Sequence, residues 1–282
     1  MATHEIDMRG SRRAIFWSVP YRVNLRNVGD DATDRLVELG ALDVELLQDD
    51  GVAALMPDSV PPERVAIALG VAGVSVSPAV ARDAGSVWIL SPRPIQIGRL
   101  RIVPLHLEAT RGALKLVDAD AFGTGLHPTT SLCLEVLDEI VQTFPPDCVL
   151  DVGTGSGVLA LAALMLGVPR ALGIDIDDEA LGVAAENARI NELEDRLALK
   201  RGGPETITGT WPLVLANVLA APLIEMAPAL VRRVGHHGQL VLSGIPSGVE
   251  PDVDQAYRRL GMRRVRVTSR AGWSALVLQA SW

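Results

Sequence analysis

The sequence is poor in features that mark several large classes of protein. It has only 2 cysteines, Cys133 and Cys148, isolated on a helical face and at the head of a strand, which suggests buried free thiols rather than a disulfide framework or metal site. No apolar run approaches the roughly 20 residues of a membrane span. The longest, VLALAALMLGV from Val158 to Val168, falls far short. The opening stretch MATHEIDMRGSRRAIFWSVP has no apolar signal core, so a cytoplasmic protein with no membrane partner is expected. Positive charge is also in deficit: 26 Lys and Arg face 34 Asp and Glu, for a net −8, which argues against direct binding to nucleic acid.

What is present is apolar bulk. Of 282 residues, 48% are apolar and 21% charged, the balance of a protein with a sizeable core built as one large and one small domain. The charge is uneven. Between Ala14 and Val80 four arginines stand against ten carboxylates. That is a solvated acidic surface or a docking face for a basic partner, since opposite fields speed and orient an encounter.

Residues 1–80 are expected to form the small domain. IFWSVPYRVNL is strand-like, DDATDRLVELGA helical, LDVELLQ and GVAALMP are strands, PPERVAIALG is a helix and GVSVSP a last strand. The order βαββαβ predicts a ferredoxin-like α+β sandwich. Residues 81–98, with prolines at 92 and 94, are expected as a linker, and 99–282 as the larger domain. From Thr129 onward helices and strands alternate. Strands are expected at 148–152, 171–176, 197–200, 213–217 and 239–244, and helices at 129–144, 156–167, 178–192, 221–234 and 251–261. This predicts a doubly wound, mostly parallel Rossmann-like α/β sheet. Two closing strands, 263–269 and 273–279, lie too close together for a crossover, so the last must run antiparallel. Seven strands ending in such a hairpin are the layout of class I S-adenosylmethionine-dependent methyltransferases.

VLDVGTGSGVLAL places glycines 153, 155 and 157 between a buried strand and a helix. Glycines there let the backbone turn sharply and a ligand approach where a Cβ would collide. A P-loop is excluded because no lysine follows the turn. A dinucleotide site wants a last glycine where Val158 stands. S-adenosylmethionine carries no phosphate and needs only bare backbone beside its amino-acid part and ribose. Asp175 ends the next strand, 22 residues after Gly153, where a carboxylate can accept both ribose hydroxyls; Asp177 and Asp178 suit helix capping better. Asn217 ends the fourth strand at the switch point of this topology, and its amide with nearby carbonyls can hold an acceptor amine. Val218 and Leu219 follow it, not the Pro-Pro-aromatic that stacks on a flipped base, so a nucleobase substrate loses support.

A second glycine turn, AFGTGLHPTTSLCLEVL, precedes the first by some thirty residues. Gly123 and Gly125 suit a loop that folds over cofactor. Pro128 suits a first helical turn, and His127 is expected to shape the loop rather than act as a base. Together with DVGTGSGVLALAA, GIDID, LANVLAAPL, LSGI and the Gly-Trp before the last strand, this run resembles the ribosomal protein L11 methyltransferase family (protein methyltransferase A) over about residues 95–282. The small acidic module has the size and class of that family's substrate-recognition domain. The resemblance implies a monomeric, S-adenosylmethionine-dependent protein N-methyltransferase acting on lysine and N-terminal amines of a basic large-subunit ribosomal protein. It implies cofactor contacts at Thr130, Gly153, Gly155, Asp175 and Asn217, with Asn217 also the catalytic residue, and no metal. Another protein's lysine or a small-molecule amine stays open as substrate, as does a non-catalytic module that kept the fold.

Overall fold

The computed structural model describes residues 4–5, 21–26, 28–29, 31–41, 43–47, 51–57, 60–78, 94–108, 112–117, 127–270 and 273–282. The chain divides into two compact units, Met1–Ser91 and Pro92–Trp282. The first contains β1 (His4–Glu5), β2 (Tyr21–Leu25), α1 (Ala32–Glu38), β3 (Asp43–Leu47), β4 (Gly51–Met56), α2 (Pro62–Leu69) and β5 (Ser75–Pro78). Its sheet runs β1-β5-β2-β4-β3 with every neighbouring pair antiparallel. Leaving aside β1, a two-residue edge pairing too short to read in the sequence, this is the ferredoxin-like strand order. Strand β2 alternates in burial, with Tyr21, Val23 and Leu25 buried, and Leu36 of α1 and Val65 of α2 are fully buried too. Residues 15–20 of the predicted first strand lie outside the described residues.

The second unit opens with β6 (Ile95–Ile97), β7 (Leu100–Pro104) and β8 (Leu114–Leu116), which form a small separate sheet. The large sheet and its helices follow: α3 (Pro128–Thr143), β9 (Cys148–Val152), α4 (Val158–Met165), β10 (Arg170–Asp175), α5 (Asp178–Ile190), β11 (Leu197–Arg201), β12 (Trp211–Asn217), α6 (Ala220–Glu225), α7 (Ala227–Val231), β13 (Val234–Pro246), α8 (Glu250–Arg258), β14 (Met262–Arg270) and β15 (Trp273–Ala280). Its order is β11-β10-β9-β12-β13-β15-β14, with β15 antiparallel to both neighbours and the other pairings parallel.

Both faces of this sheet are covered, which explains why its inner strands read as continuous apolar runs. Val149, Leu213, Leu215 and Val241 point into one core with α3 and α4. Leu150, Val152, Val214, Ala216, Leu240 and Leu242 point into the other, beneath α6, α7 and α8. Strand order reverses between β9 and β12, so the crevice at the carboxyl ends of these two strands is where such sheets bind ligands.

Three expectations change. Residues 95–97, inside the span read as a linker, are strand β6. This hairpin has an anchor in α3, because the Arg99 backbone N–H and guanidinium Nε donate to Asp138 at 3.1 and 2.7 Å. The helix expected over 221–234 is two short helices broken at Met226, since Pro228 cannot donate to a carbonyl one turn back. Cys133 is buried as expected, but Cys148 is only half-buried at the start of its strand.

Candidate active site

The glycine turn after β9 is bound to the end of β10. Gly153, Gly155 and Gly157 all have positive φ, at 69°, 53° and 81°, a backbone region that residues with a Cβ rarely enter. The N–H groups of Gly153 and Thr154 donate to the Ile174 carbonyl at 2.9 and 3.0 Å. The N–H of Gly155 donates to Asp175 Oδ2 at 2.9 Å, and that of Asp177 to Asp175 Oδ1 at 3.1 Å. Each Asp175 oxygen thus accepts one backbone bond, while an ionised carboxylate has about four acceptor positions. A ligand with two adjacent hydroxyls, such as a ribose, fits the remaining ones. Asp177 caps α5 by accepting from the Glu179 N–H at 2.9 Å.

Across the crevice, Asn217 Nδ2 donates to the Thr130 hydroxyl at 3.2 Å. The other amide atom, Oδ1, is buried and accepts no hydrogen bond. A buried acceptor without a donor costs about 1–3 kcal/mol, so it marks a place prepared for one. The two halves of the site meet at Val218, because a Cβ built on Gly153 would lie 2.5 Å from its Cγ1. The structure therefore brings Gly153, Gly155 and Asp175 together, and Thr130 with Asn217. The predicted lid loop, including Gly123 and Gly125, lies outside the described residues.

His127 caps α3, with its Nδ1 accepting from the Thr129 N–H at 3.3 Å. Its ring packs edge-on against Trp273, with centroids 5.1 Å apart. Burial pushes its pKa down to about 4, so it is neutral at pH 7 and far too weak a base to deprotonate a lysine.

Asp151 was not singled out by sequence reasoning, although a lone acid inside the apolar run VLDV is a signal. It is fully buried, and one oxygen accepts from the Thr154 hydroxyl at 2.7 Å and the Ala160 N–H at 3.2 Å. Its other oxygen has no partner. Burial pushes its pKa up to about 6 against the pull of those two bonds, and the charge of Asp175 adds to the rise. The folded state thus keeps a proton that the unfolded chain loses near pH 3.8, so stability falls as pH rises from about 4 to about 6. A shift of this size is worth about 3 kcal/mol. Denaturant unfolding without cofactor should show Asp151→Asn gaining about that much on the wild type between pH 4 and pH 7. A gap that stays constant with pH would contradict the assignment.

A doubly wound sheet with an antiparallel closing strand, a glycine turn tied to a strand-end acid, and a polar residue at the switch point define a class I S-adenosylmethionine-dependent methyltransferase. The more specific relationship comes from comparison with known proteins. The family model for ribosomal protein L11 methyltransferase (PrmA) matches residues 69–281, and the chain belongs to that family. It is 40% identical to the ribosomal protein L11 methyltransferase of Pelobacter propionicus over 211 residues, which take in 72% of this chain and 68% of that one. With the same-named protein of Geotalea uraniireducens it shares 41% over 209 residues, 69% of this chain and 66% of the relative. A crystal structure of ribosomal protein L11 methylase from Lactobacillus delbrueckii subsp. bulgaricus superposes with a TM-score of 0.61 at 30% identity. It covers 67% of this chain and 98% of that one.

Proposed function

We propose that this enzyme methylates ribosomal protein L11 at lysine and N-terminal amines, using S-adenosylmethionine as donor. The substrate is the one in the names of the relatives. The observation that carries the site assignment is the buried, unpartnered Oδ1 of Asn217 at the switch point, an acceptor suited to an amine N–H. Asp175 holds the ribose, Gly153 and Gly155 leave bare backbone beside the cofactor, and Thr130 fixes the Asn217 amide.

Bound there, S-adenosylmethionine supplies an electrophilic sulfonium methyl. Asn217 takes one N–H of the incoming amine on Oδ1, which leaves the nitrogen lone pair free for in-line attack on the methyl carbon. With the donor held there, the amine nitrogen would take the methyl as its carbon–sulfur bond breaks, S-adenosylhomocysteine would leave, and the amine's surplus proton would pass to water. No described side chain near Asn217 is a strong base, because His127 is held neutral and weak. Positioning and exclusion of water then carry the rate, and an α-amine, with an ordinary pKa near 8, reacts more readily than a lysine near 10.4.

The amino-terminal unit is the docking module in this reading. Asp34 and Glu38 of α1 and Glu63 of α2 are exposed, a negative surface suited to a basic ribosomal protein. The enzyme works as a cytoplasmic monomer and needs no contact with nucleic acid. Labelled S-adenosylmethionine should transfer methyl groups to purified L11 but not to free lysine or small amines at equal amine concentration. Replacing Asp34, Glu38 and Glu63 together with Lys should raise KM for L11 about tenfold, with KM for cofactor unmoved. Equal use of small amines would send the reading to a different substrate class.

A further inference from the structure

The motif LSGI, Leu242 to Ile245, lies outside the cofactor turn, yet two of its residues reach both walls of the crevice. Strand β13 is irregular there. Leu242 pairs with Leu276 and Ile245 with Ser274, so Ser243 and Gly244 together face the single residue Ala275. That is a β-bulge, a device that re-aims backbone next to active sites.

Each bulge residue makes one contact that matters. Ser243 is fully buried, and its hydroxyl donates to the Thr129 carbonyl at 3.0 Å. Thr129 immediately precedes Thr130, whose hydroxyl receives the Asn217 amide. Gly244 has φ of +84°, and a Cβ on it would lie 2.2 Å from the Val218 carbonyl oxygen and 2.6 Å from its carbon. Val218 immediately follows Asn217, and Asn217 itself pairs with Ser243 across the sheet. The obstacle is backbone, which cannot rotate aside as a side-chain tip can.

We propose that the Ser243–Gly244 bulge is a positioning element for methyl transfer: Ser243 fixes the Thr130 side of the crevice, Gly244 admits the Val218 carbonyl of the 218–219 peptide, and together they aim the Asn217 amide. This rests on the assignment of Asn217 to the acceptor amine. Neither bulge residue need touch substrate or cofactor. Their loss should slow the chemical step without weakening cofactor binding, because Asp175 and its turn are bound independently through β10.

The test compares Ser243→Ala, Gly244→Ala and Ser281→Ala, the last an exposed serine beyond β15 whose hydroxyl donates to the Gly261 carbonyl, away from the bulge. At a temperature well below each variant's Tm, Gly244→Ala should lower kcat about 100-fold and Ser243→Ala about 5- to 10-fold, as expected for a displaced reacting group. KM and Kd for S-adenosylmethionine should stay within about twofold, and Ser281→Ala should match the wild type. If Gly244→Ala does not fold, Ser243→Ala alone decides. A second readout needs no substrate: the side-chain amide resonances of Asn217, assigned from their absence in Asn217→Ala, should move in both bulge variants and stay in place in Ser281→Ala. Unchanged kcat per folded molecule with unmoved resonances would overturn the proposal. So would equal losses of kcat and cofactor affinity. Moved resonances in an enzyme that does not methylate L11 would leave the bulge assignment standing and reject the substrate.

Discussion

Asn217→Ala should lower kcat about 100-fold or more while leaving the protein as stable as the wild type, or slightly more so. The two halves of this result have one cause. In the free enzyme the Asn217 Oδ1 is buried without a donor, and the amide gains only one bond of 3.2 Å to Thr130. Removing an unsatisfied buried acceptor is close to neutral for folding, because the desolvation cost leaves with the group. In the reaction, the same oxygen aligns the amine, and misplacing a nucleophile by about 1 Å can cost about 100-fold. Thermal unfolding and steady-state kinetics on one preparation check both halves. A variant that loses activity only in proportion to stability would show Asn217 to be structural.

Asp175→Ala should weaken binding of S-adenosylmethionine about 100- to 1,000-fold. Hydrogen bonds to an ionised group are worth about 1.5–3 kcal/mol each, and a ribose offers two. Part of the loss comes from the turn, since Asp175 also receives the Gly155 and Asp177 N–H groups. Asp175→Asn separates the contributions. It keeps one acceptor oxygen but sets an amide N–H against a backbone donor, so it should bind better than the alanine variant and worse than the wild type. Isothermal titration with S-adenosylhomocysteine reads both without turnover. Affinity in Asp175→Ala equal to wild type would remove Asp175 from the ribose site.

The large domain was legible because its strands are buried on both faces. VLDV, VLAN and LVLSG are apolar runs bounded by glycine or a polar residue, and β9 falls at 148–152 as the sequence predicts. The closing hairpin could be read from linker length alone. The placement of the proposed site residues was equally visible: the glycine turn follows β9, and Asp175 and Asn217 end β10 and β12, as the sequence predicts. Three things were hidden, each for a physical reason. The hairpin of β6 and β7 depends on a long-range grip between Arg99 and Asp138 that no local pattern encodes. Strand β13 begins at Val234, ahead of GHHGQ, because Val234 pairs with Trp211 and Gln239 with Leu213; Gly235 to Gly238, of low strand propensity, bulge between those two long-range pairs. The role of Ser243 and Gly244 appears only once β12, β13 and α3 are side by side, because the groups they reach are about 25 and 114 residues away along the chain.

The most direct measurement is the intact mass of purified L11 after incubation with this enzyme and S-adenosylmethionine, with fragmentation to locate any added methyl groups. The account predicts methylation at the N-terminal amine and at lysines, complete with the wild type and nearly absent with Asn217→Ala under the same conditions. L11 left unmodified by an enzyme shown in the same sample to bind S-adenosylmethionine would contradict the proposed substrate. Methylation undiminished in Asn217→Ala would contradict the proposed site.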